Sequence, residues 1–157
     1  MFSKNAQLLT YLIKNHERSS VPSLMKLCYL VDLVCVQESQ PKVSDFEYKR
    51  YHYGPFDTQI YDELQELIDN GAVKPEQEYT AKAEEYVIYT INDAEKMDFS
   101  SLTEKDEEMT DVVLEHVKGY GAKTLTEITY KTKPMLKLGA TIGGSENLNE
   151  PLDLKAS

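Results

Sequence analysis

The sequence predicts a mainly helical α+β domain built around one buried central helix, with a short strand and a β-hairpin beside it. Residues 23–37 are apolar on nearly every side, with Lys26 and Asp32 as their charged members, and a helix of that kind is buried. Residues 72–91 contain two segments suited to strands around a short loop, which predicts the hairpin. A chain of 157 residues has the length for one such core and is too short for two.

The first half of the chain contains two helices and one strand. Apolar residues spaced three and four apart predict a helix over residues 4–16. Ser20 followed by Pro22 is a helix start, so the central helix begins there, and we expect it to end at Pro41. Residues 46–53 are rich in aromatic side chains and predict a short extended strand.

Gly54 and Pro55 are expected to break that strand, and helical periodicity resumes at Phe56. The new helix has an apolar face and an acidic face, and it ends at the Asn-Gly pair at residues 70–71. The hairpin at residues 72–91 follows at once. A hairpin directly after a helix makes the predicted fold winged-helix-like.

Two further helices and a tail complete the chain. Capping signals at Thr103 and Thr124 predict helix starts, and Pro134 is expected to end the second helix. The residues beyond are polar and rich in glycine, which predicts little regular structure. We therefore divide the chain into a single domain over residues 1–138 and a C-terminal tail over residues 139–157.

The net charge of −10 is concentrated in the middle of the chain, where residues 57–115 hold eighteen acidic and four basic side chains. An acidic block of this density repels phosphate backbones, so nucleic acid is a poor partner. Two interpretations stay open. The block forms a solvated surface that maintains solubility, or it steers a basic protein partner.

The chain has the composition of a cytoplasmic protein. It contains no apolar run near the roughly 20 residues that span a bilayer, and its N-terminus lacks a secretory signal pattern, so we expect no membrane association. Cys28 and Cys35 lie on one face of the central helix but roughly 10 Å apart along its axis. That distance excludes a disulfide between them, so we expect buried, reduced thiols.

No sequence pattern indicates catalysis, a metal or a cofactor. His16, His52 and His116 each lie alone, without a second histidine or cysteine at ligand spacing. The glycines at residues 143–144 lack the lysine of a phosphate-binding loop, and no serine lies in a nucleophile elbow. We expect a protein that is not an enzyme. A deep polar pocket joining His52 to carboxylates would reverse that expectation.

Aromatic side chains between residues 46 and 61 suit either a core or a protein interface, because tyrosine combines apolar area with a polar tip. Lys49 and Arg50 among them would suit base stacking, but two cations are few in so acidic a chain. We expect a partner-binding face in which Gly54 and Pro55 set the turn and the following side chains make contact: Tyr48, Tyr51, Tyr53, Phe56 and Tyr61, with Asp57, Asp62 and Glu66 at the rim.

One motif arrangement resembles a known family. The motif Lys-Leu-x-Tyr-Leu-x-Asp at residues 26–32 precedes an aromatic segment that ends in Tyr-Gly-Pro and an amphipathic helix. This order resembles the SocA/Panacea antitoxin family of phage-associated proteins, over about residues 5–135. Many relatives carry a histidine and a tryptophan in a later segment, where this chain has Tyr130 and Met135.

The resemblance implies a toxin–antitoxin module in which a compact, mostly helical domain binds and neutralises a cognate toxin protein. Because one member of the family is an adaptor, it also implies delivery of the toxin to an ATP-dependent protease. The alternative function is a winged-helix-like, DNA-binding transcriptional regulator. The hairpin favours that alternative, and the acidic helix before it opposes it.

Overall fold

A buried central helix organises the structure, a computed structural model that describes residues 2–156. This helix is α2 (Val21–Gln37), and its side chains are buried on nearly every side, as predicted. The Ser20 side chain accepts a hydrogen bond from the backbone N–H of Ser23, and Pro22 lies in the first turn. The helix ends at Gln37, four residues before the expected end.

Five further helices were located in the described part of the chain, which is mainly helical with small β elements. They are α1 (Lys4–Asn15), α3 (Gln59–Asp69), α4 (Glu104–His116), α5 (Ala122–Tyr130) and α6 (Lys133–Lys137). Helices α1, α4 and α5 pack on α2, and α1 also contacts α3. The single core lies among them, as the sequence predicts.

The start and end signals predicted for the later helices are confirmed at one position and wrong at two. Thr103 caps α4 in a capping box, as expected. Thr124 does not cap α5, because the helix starts earlier, after Gly121, and Thr124 lies within it. Pro134 does not end a helix either: it lies in the first turn of α6, where a missing N–H is tolerated.

Two antiparallel ribbons accompany the helices. Strands β3 (Val73–Tyr79) and β4 (Glu85–Ile91) form the hairpin that the sequence predicts after α3. Strands β1 (Lys49–Tyr51) and β2 (Gly54–Phe56) form a second, shorter ribbon. The expected break at residues 54–55 was therefore wrong, because the chain reverses at residues 52–53 and residues 54–56 pair with β1. As a result α3 starts at Gln59, three residues later than predicted.

The C-terminal segment lies along the outer edge of β1. The N–H of Arg50 donates to the carbonyl of Glu150 at 2.9 Å, and the N–H of Leu152 donates to the carbonyl of Tyr48 at 2.9 Å. Leu152 and Leu154 are buried against the core. The division into a domain and a tail stays a prediction, and its outermost residues, Met1 and Ser157, lie outside the described residues.

Across residues 2–156, every helix is too short or too polar to cross a lipid bilayer.

Candidate functional site

Three aromatic rings form a continuous array where the β1–β2 ribbon meets α3. The Tyr51 and Phe56 rings stack, with centroids 5.2 Å apart and planes 12° apart. The Phe56 ring also contacts the Tyr61 ring, at a centroid distance of 5.9 Å. The register agrees with the array, because Tyr51 lies opposite Gly54 and Phe56 lies opposite Lys49, which places both rings on the same face of the ribbon.

This array and the neighbouring tyrosine form a surface that we call the aromatic face, composed of Tyr51, Tyr53, Phe56 and Tyr61. The Tyr53 side chain is 65% exposed and the Tyr61 side chain is 54% exposed, whereas Phe56 packs partly on the core. Large aromatic side chains with this exposure are candidates for a protein interface, since they offer apolar area at small conformational cost.

Tyr48 does not belong to this surface. It is 3% exposed, and its hydroxyl donates to the carboxylate of Asp32 at 2.6 Å. Side chains alternate in and out over residues 45–50, with Phe46, Tyr48 and Arg50 inside. That period of two is the signal that places Tyr48 in the core, and the general richness in aromatics concealed it.

The remaining predicted residues take three different positions. Gly54 and Pro55 are buried in β2, so they support the aromatic face and are not part of its exposed surface. Asp57 accepts hydrogen bonds from the backbone N–H groups of Glu47 and Gln59, which joins β1 to the start of α3. On α3, Asp62 is exposed and Glu66 is half-buried. Among the predicted residues, the ring contacts bring together Tyr51, Phe56 and Tyr61.

A buried carboxylate anchors the segment that leads into β1. Asp32 on α2 accepts hydrogen bonds from the N–H groups of Val43 and Ser44 and from the hydroxyls of Ser44 and Tyr48. Burial raises the pKa of Asp32, and the hydrogen bonds from Ser44 and Tyr48 oppose that shift. Because all four partners donate, the arrangement suits the ionised carboxylate.

A buried guanidinium links the same ribbon to the C-terminal segment. Arg50 donates through Nη2 to the carbonyl of Thr141 at 2.7 Å and through Nη1 to the carbonyl of Tyr51. The ring of Tyr130 lies 5.6 Å from the guanidinium carbon, and the Tyr130 hydroxyl donates to the carbonyl of His52 at 2.7 Å. Tyr130 therefore holds the turn next to the aromatic face.

A second buried cation lies at Gly54. Lys26 is 5% exposed, and it makes no hydrogen bond or ion pair with any described residue. A Cβ added to Gly54 would lie 3.3 Å from Lys26 Cε, 3.9 Å from Lys26 Nζ and 3.5 Å from Thr129 Oγ1. The backbone at Gly54, with φ of +132°, thus passes close to the lysine tip. Burial lowers the pKa of Lys26 to about 8.

This pKa predicts a measurable dependence of stability on pH. The unfolded lysine keeps its ordinary pKa of 10.5, so between pH 8 and pH 10.5 the unfolded chain binds more protons than the folded chain. The free energy of unfolding must therefore rise with pH in that window, by about 2–3 kcal/mol from this group. Urea unfolding of wild type and Lys26→Met at pH 7.5 and 10 measures the difference, in which the shared tyrosine titrations cancel. Parallel pH profiles would contradict the prediction.

A metal-binding cluster is absent from residues 2–156. No three or more His, Cys, Asp or Glu side chains converge there in a way that could hold a metal ion. His52 is exposed, and its Nδ1 lies 3.2 Å from the carbonyl oxygen of Gly144. A groove of about 1010 Å³ opens elsewhere, between the α1–α2 loop, the β3–β4 hairpin and the α4–α5 loop, and His52 is not among its lining residues.

The hairpin carries more acidic than basic side chains. Glu76, Glu78 and Glu85 lie on its strands, against Lys74. Helix α3 before it contains four acidic residues and no basic ones. Phosphate backbones would be repelled by such a helix and wing, so the geometry adds nothing in favour of DNA recognition.

Sequence reasoning missed Lys26 and Arg50 as parts of the site. Each was visible as a charged residue within an otherwise apolar or aromatic segment. Their roles depend on the groups that surround them in the folded chain. Those groups come from the β1–β2 ribbon, from α5 and from the C-terminal segment.

Comparison with known proteins gives one match. The profile of the family described as "Antitoxin SocA-like, Panacea domain" matches residues 24–134, which is more than half of the chain. That range begins within α2 and ends within α6, so it contains the aromatic face, Lys26 and Arg50. No curated protein and no solved structure matches the chain.

Proposed function

The chain belongs to the SocA-like antitoxin family with a Panacea domain, and we propose that it neutralises a cognate toxin by binding it directly through the aromatic face. The observation that supports this proposal most is the continuous array of Tyr51, Phe56 and Tyr61 beside the exposed ring of Tyr53. The tyrosine rings of this array combine a large apolar area with a polar hydroxyl group. The β1–β2 ribbon and α3, which carry the rings, pack on the core.

Charge supports the same mode of binding. We propose that the rim of the aromatic face is formed by Asp57, Asp62 and Glu66, from the most acidic part of the chain. An acidic rim attracts a basic toxin surface and orients it, which raises the association rate more than the final affinity. Burial of the tyrosine rings then supplies most of the affinity, as aromatic residues do at the centres of interfaces.

The test is co-expression with the adjacent open reading frame, followed by a pull-down and a titration. We expect the neighbouring gene product to arrest growth, and wild-type protein to restore growth and copurify with it. The double variant Tyr53→Ala/Tyr61→Ala should weaken binding by about 100-fold, since each ring contributes about 1–2 kcal/mol when it is buried at an interface.

Matched controls separate this face from general effects of tyrosine loss. Tyr79, which is 62% exposed at the end of the hairpin, and Tyr120, after α4, lie outside the aromatic face. The variant Tyr79→Ala/Tyr120→Ala should bind as wild type does. Equal binding by both double variants and wild type would exclude the aromatic face as the docking surface.

We further propose that neutralisation works by binding without catalysis, and that the adaptor role is a separate, testable step. A toxin neutralised sterically should persist in the cell as a complex. A toxin delivered to an ATP-dependent protease should disappear when the antitoxin is present and persist when the protease is deleted. Pulse-chase measurement of the toxin's lifetime in both strains distinguishes the two.

A further inference from the structure

We propose that Lys26 is a recognition site for one carboxylate of the protein partner, which forms an ion pair with the lysine beside Gly54. The inference rests on the proposed function and adds to it the chemistry of one contact. It predicts that the toxin contributes an acidic group next to the aromatic face, in addition to any basic surface that meets the rim.

Lys26 differs from every other buried charged residue in the described part of the chain. Asp32 accepts four hydrogen bonds, and Arg50 donates to two carbonyls. Glu63 accepts from Ser3 Oγ at 2.5 Å, and Asp106 pairs with the Lys4 ammonium at 2.8 Å. Each of these charges is compensated within the chain.

Lys26 has no such compensation. An ammonium group taken out of water without a counter-ion or hydrogen bonds costs several kcal/mol, and proteins normally pair it. A free domain that keeps this lysine unpaired therefore sacrifices stability at this position. A partner that brings the missing anion would recover that cost on binding, which makes the ion pair a contribution to affinity.

The position of Lys26 places its side chain near the aromatic face. A Cβ added to Gly54 would lie 3.3 Å from Lys26 Cε and 3.9 Å from Lys26 Nζ, and Gly54 directly follows exposed Tyr53 of the aromatic face. Among the described residues, the fully enclosed side-chain nitrogen that lacks a hydrogen-bond partner is Arg50 Nε. The unpaired Lys26 Nζ is not a fully enclosed atom of this kind, so it keeps some contact with solvent, and a carboxylate of the partner would approach it from there.

The donors present around Lys26 favour a carboxylate as its ligand. The ion pairs of the described residues do not include Lys26, so the site offers one positive charge. Arg50 is occupied by carbonyl groups, and the Thr129 hydroxyl donates to the carbonyl of Thr126 at 2.8 Å. Phosphate is held best by several donors at once, whereas a single ammonium suits a single carboxylate. On a protein, that group is an Asp or Glu side chain or the C-terminus.

The experiment compares Lys26→Met with Lys49→Met, which removes the same charge from an exposed position on β1. Methionine is unbranched and flexible, so it can fill the lysine's space. We expect Lys26→Met to raise the urea midpoint of the free protein while it weakens binding of the adjacent gene product by about 10- to 100-fold. Lys49→Met should change neither quantity. Unchanged binding by Lys26→Met, or a fall in both stability and binding, would overturn the proposal.

Two further arms make the result specific. Alanine replacement of the toxin's Asp and Glu residues, and removal of its last residue, should identify one carboxylate whose loss is not additive with Lys26→Met. Independently of any toxin, acetate titrated into [13Cε]lysine-labelled protein should shift the Lys26 signal more than the Lys49 signal. Equal shifts would overturn the carboxylate site, whereas failure of wild-type protein to bind the toxin would instead overturn the proposed function.

Discussion

Asp32→Ala is expected to lower the free energy of unfolding by about 3–5 kcal/mol, as measured by urea titration at pH 7. The variant leaves four donors without an acceptor inside the core: the N–H groups of Val43 and Ser44, and the hydroxyls of Ser44 and Tyr48. An unsatisfied buried donor costs about 1–3 kcal/mol, although the effects of neighbours do not add fully.

Two controls accompany this variant. Glu47→Ala removes an exposed carboxylate from the same segment and should change stability by less than about 0.5 kcal/mol. Tyr48→Phe removes one of the four donors and keeps the ring, so it should cost about 1 kcal/mol. A loss in Asp32→Ala no larger than in Glu47→Ala would show that the buried network does not hold the segment before β1.

Arg50→Met is expected to lower the free energy of unfolding by about 3–4 kcal/mol and to loosen the C-terminal segment. The guanidinium is fully buried, donates to the carbonyls of Tyr51 and Thr141, and lies over the ring of Tyr130. Its loss removes the guanidinium donor from both carbonyls. Hydrogen exchange should therefore accelerate at the N–H groups of residues 149 and 152, which pair with the chain near β1.

The matched control for this variant is Lys49→Met, which neutralises the exposed neighbour and should leave exchange unchanged. Tyr130→Phe tests the second half of the contact. It removes the hydroxyl that donates to the carbonyl of His52 but keeps the ring against Arg50, so we expect a loss of about 1 kcal/mol. Exchange at residues 149 and 152 that is as slow in Arg50→Met as in wild type would show that other contacts hold the segment.

The sequence was most informative where a structure depends on neighbours a few residues away. The apolar run that forms α2, the Ser20 cap and the Thr103 capping box all act within one or two turns of helix. The hairpin at residues 72–91 is similarly local, since its two strands are joined by a short loop. These elements were therefore predicted, and the structure confirms them.

Local reasoning was wrong where pairing with a distant segment decides the outcome. Gly54 and Pro55 are typical of a chain break, yet they form β2 because β1 lies opposite them and α2 lies below. Thr124 has the spacing of a helix cap, but α5 has already begun after Gly121. In both places the packed neighbours outweigh the local preference.

The candidate site was predicted only in part, because the burial of each aromatic side chain also depends on distant segments. The aromatic segment at residues 46–61 identified the rings of Tyr51, Tyr53, Phe56 and Tyr61, but composition alone did not separate them from buried Tyr48. Burial of alternate residues separates them, and it depends on which face of the segment meets α2.

By itself, the sequence determined the central helix, the hairpin, the acidic surface and the family, because each is written in residue types and short spacings. Only the tertiary structure decided that Asp32 is fully paired, that Arg50 holds the C-terminal segment and that Lys26 stays unpaired at Gly54. The physical reason is that the free energy of a buried charge depends on the groups around it. Those groups come from segments as far apart as residues 26, 54 and 129, which only folding brings together.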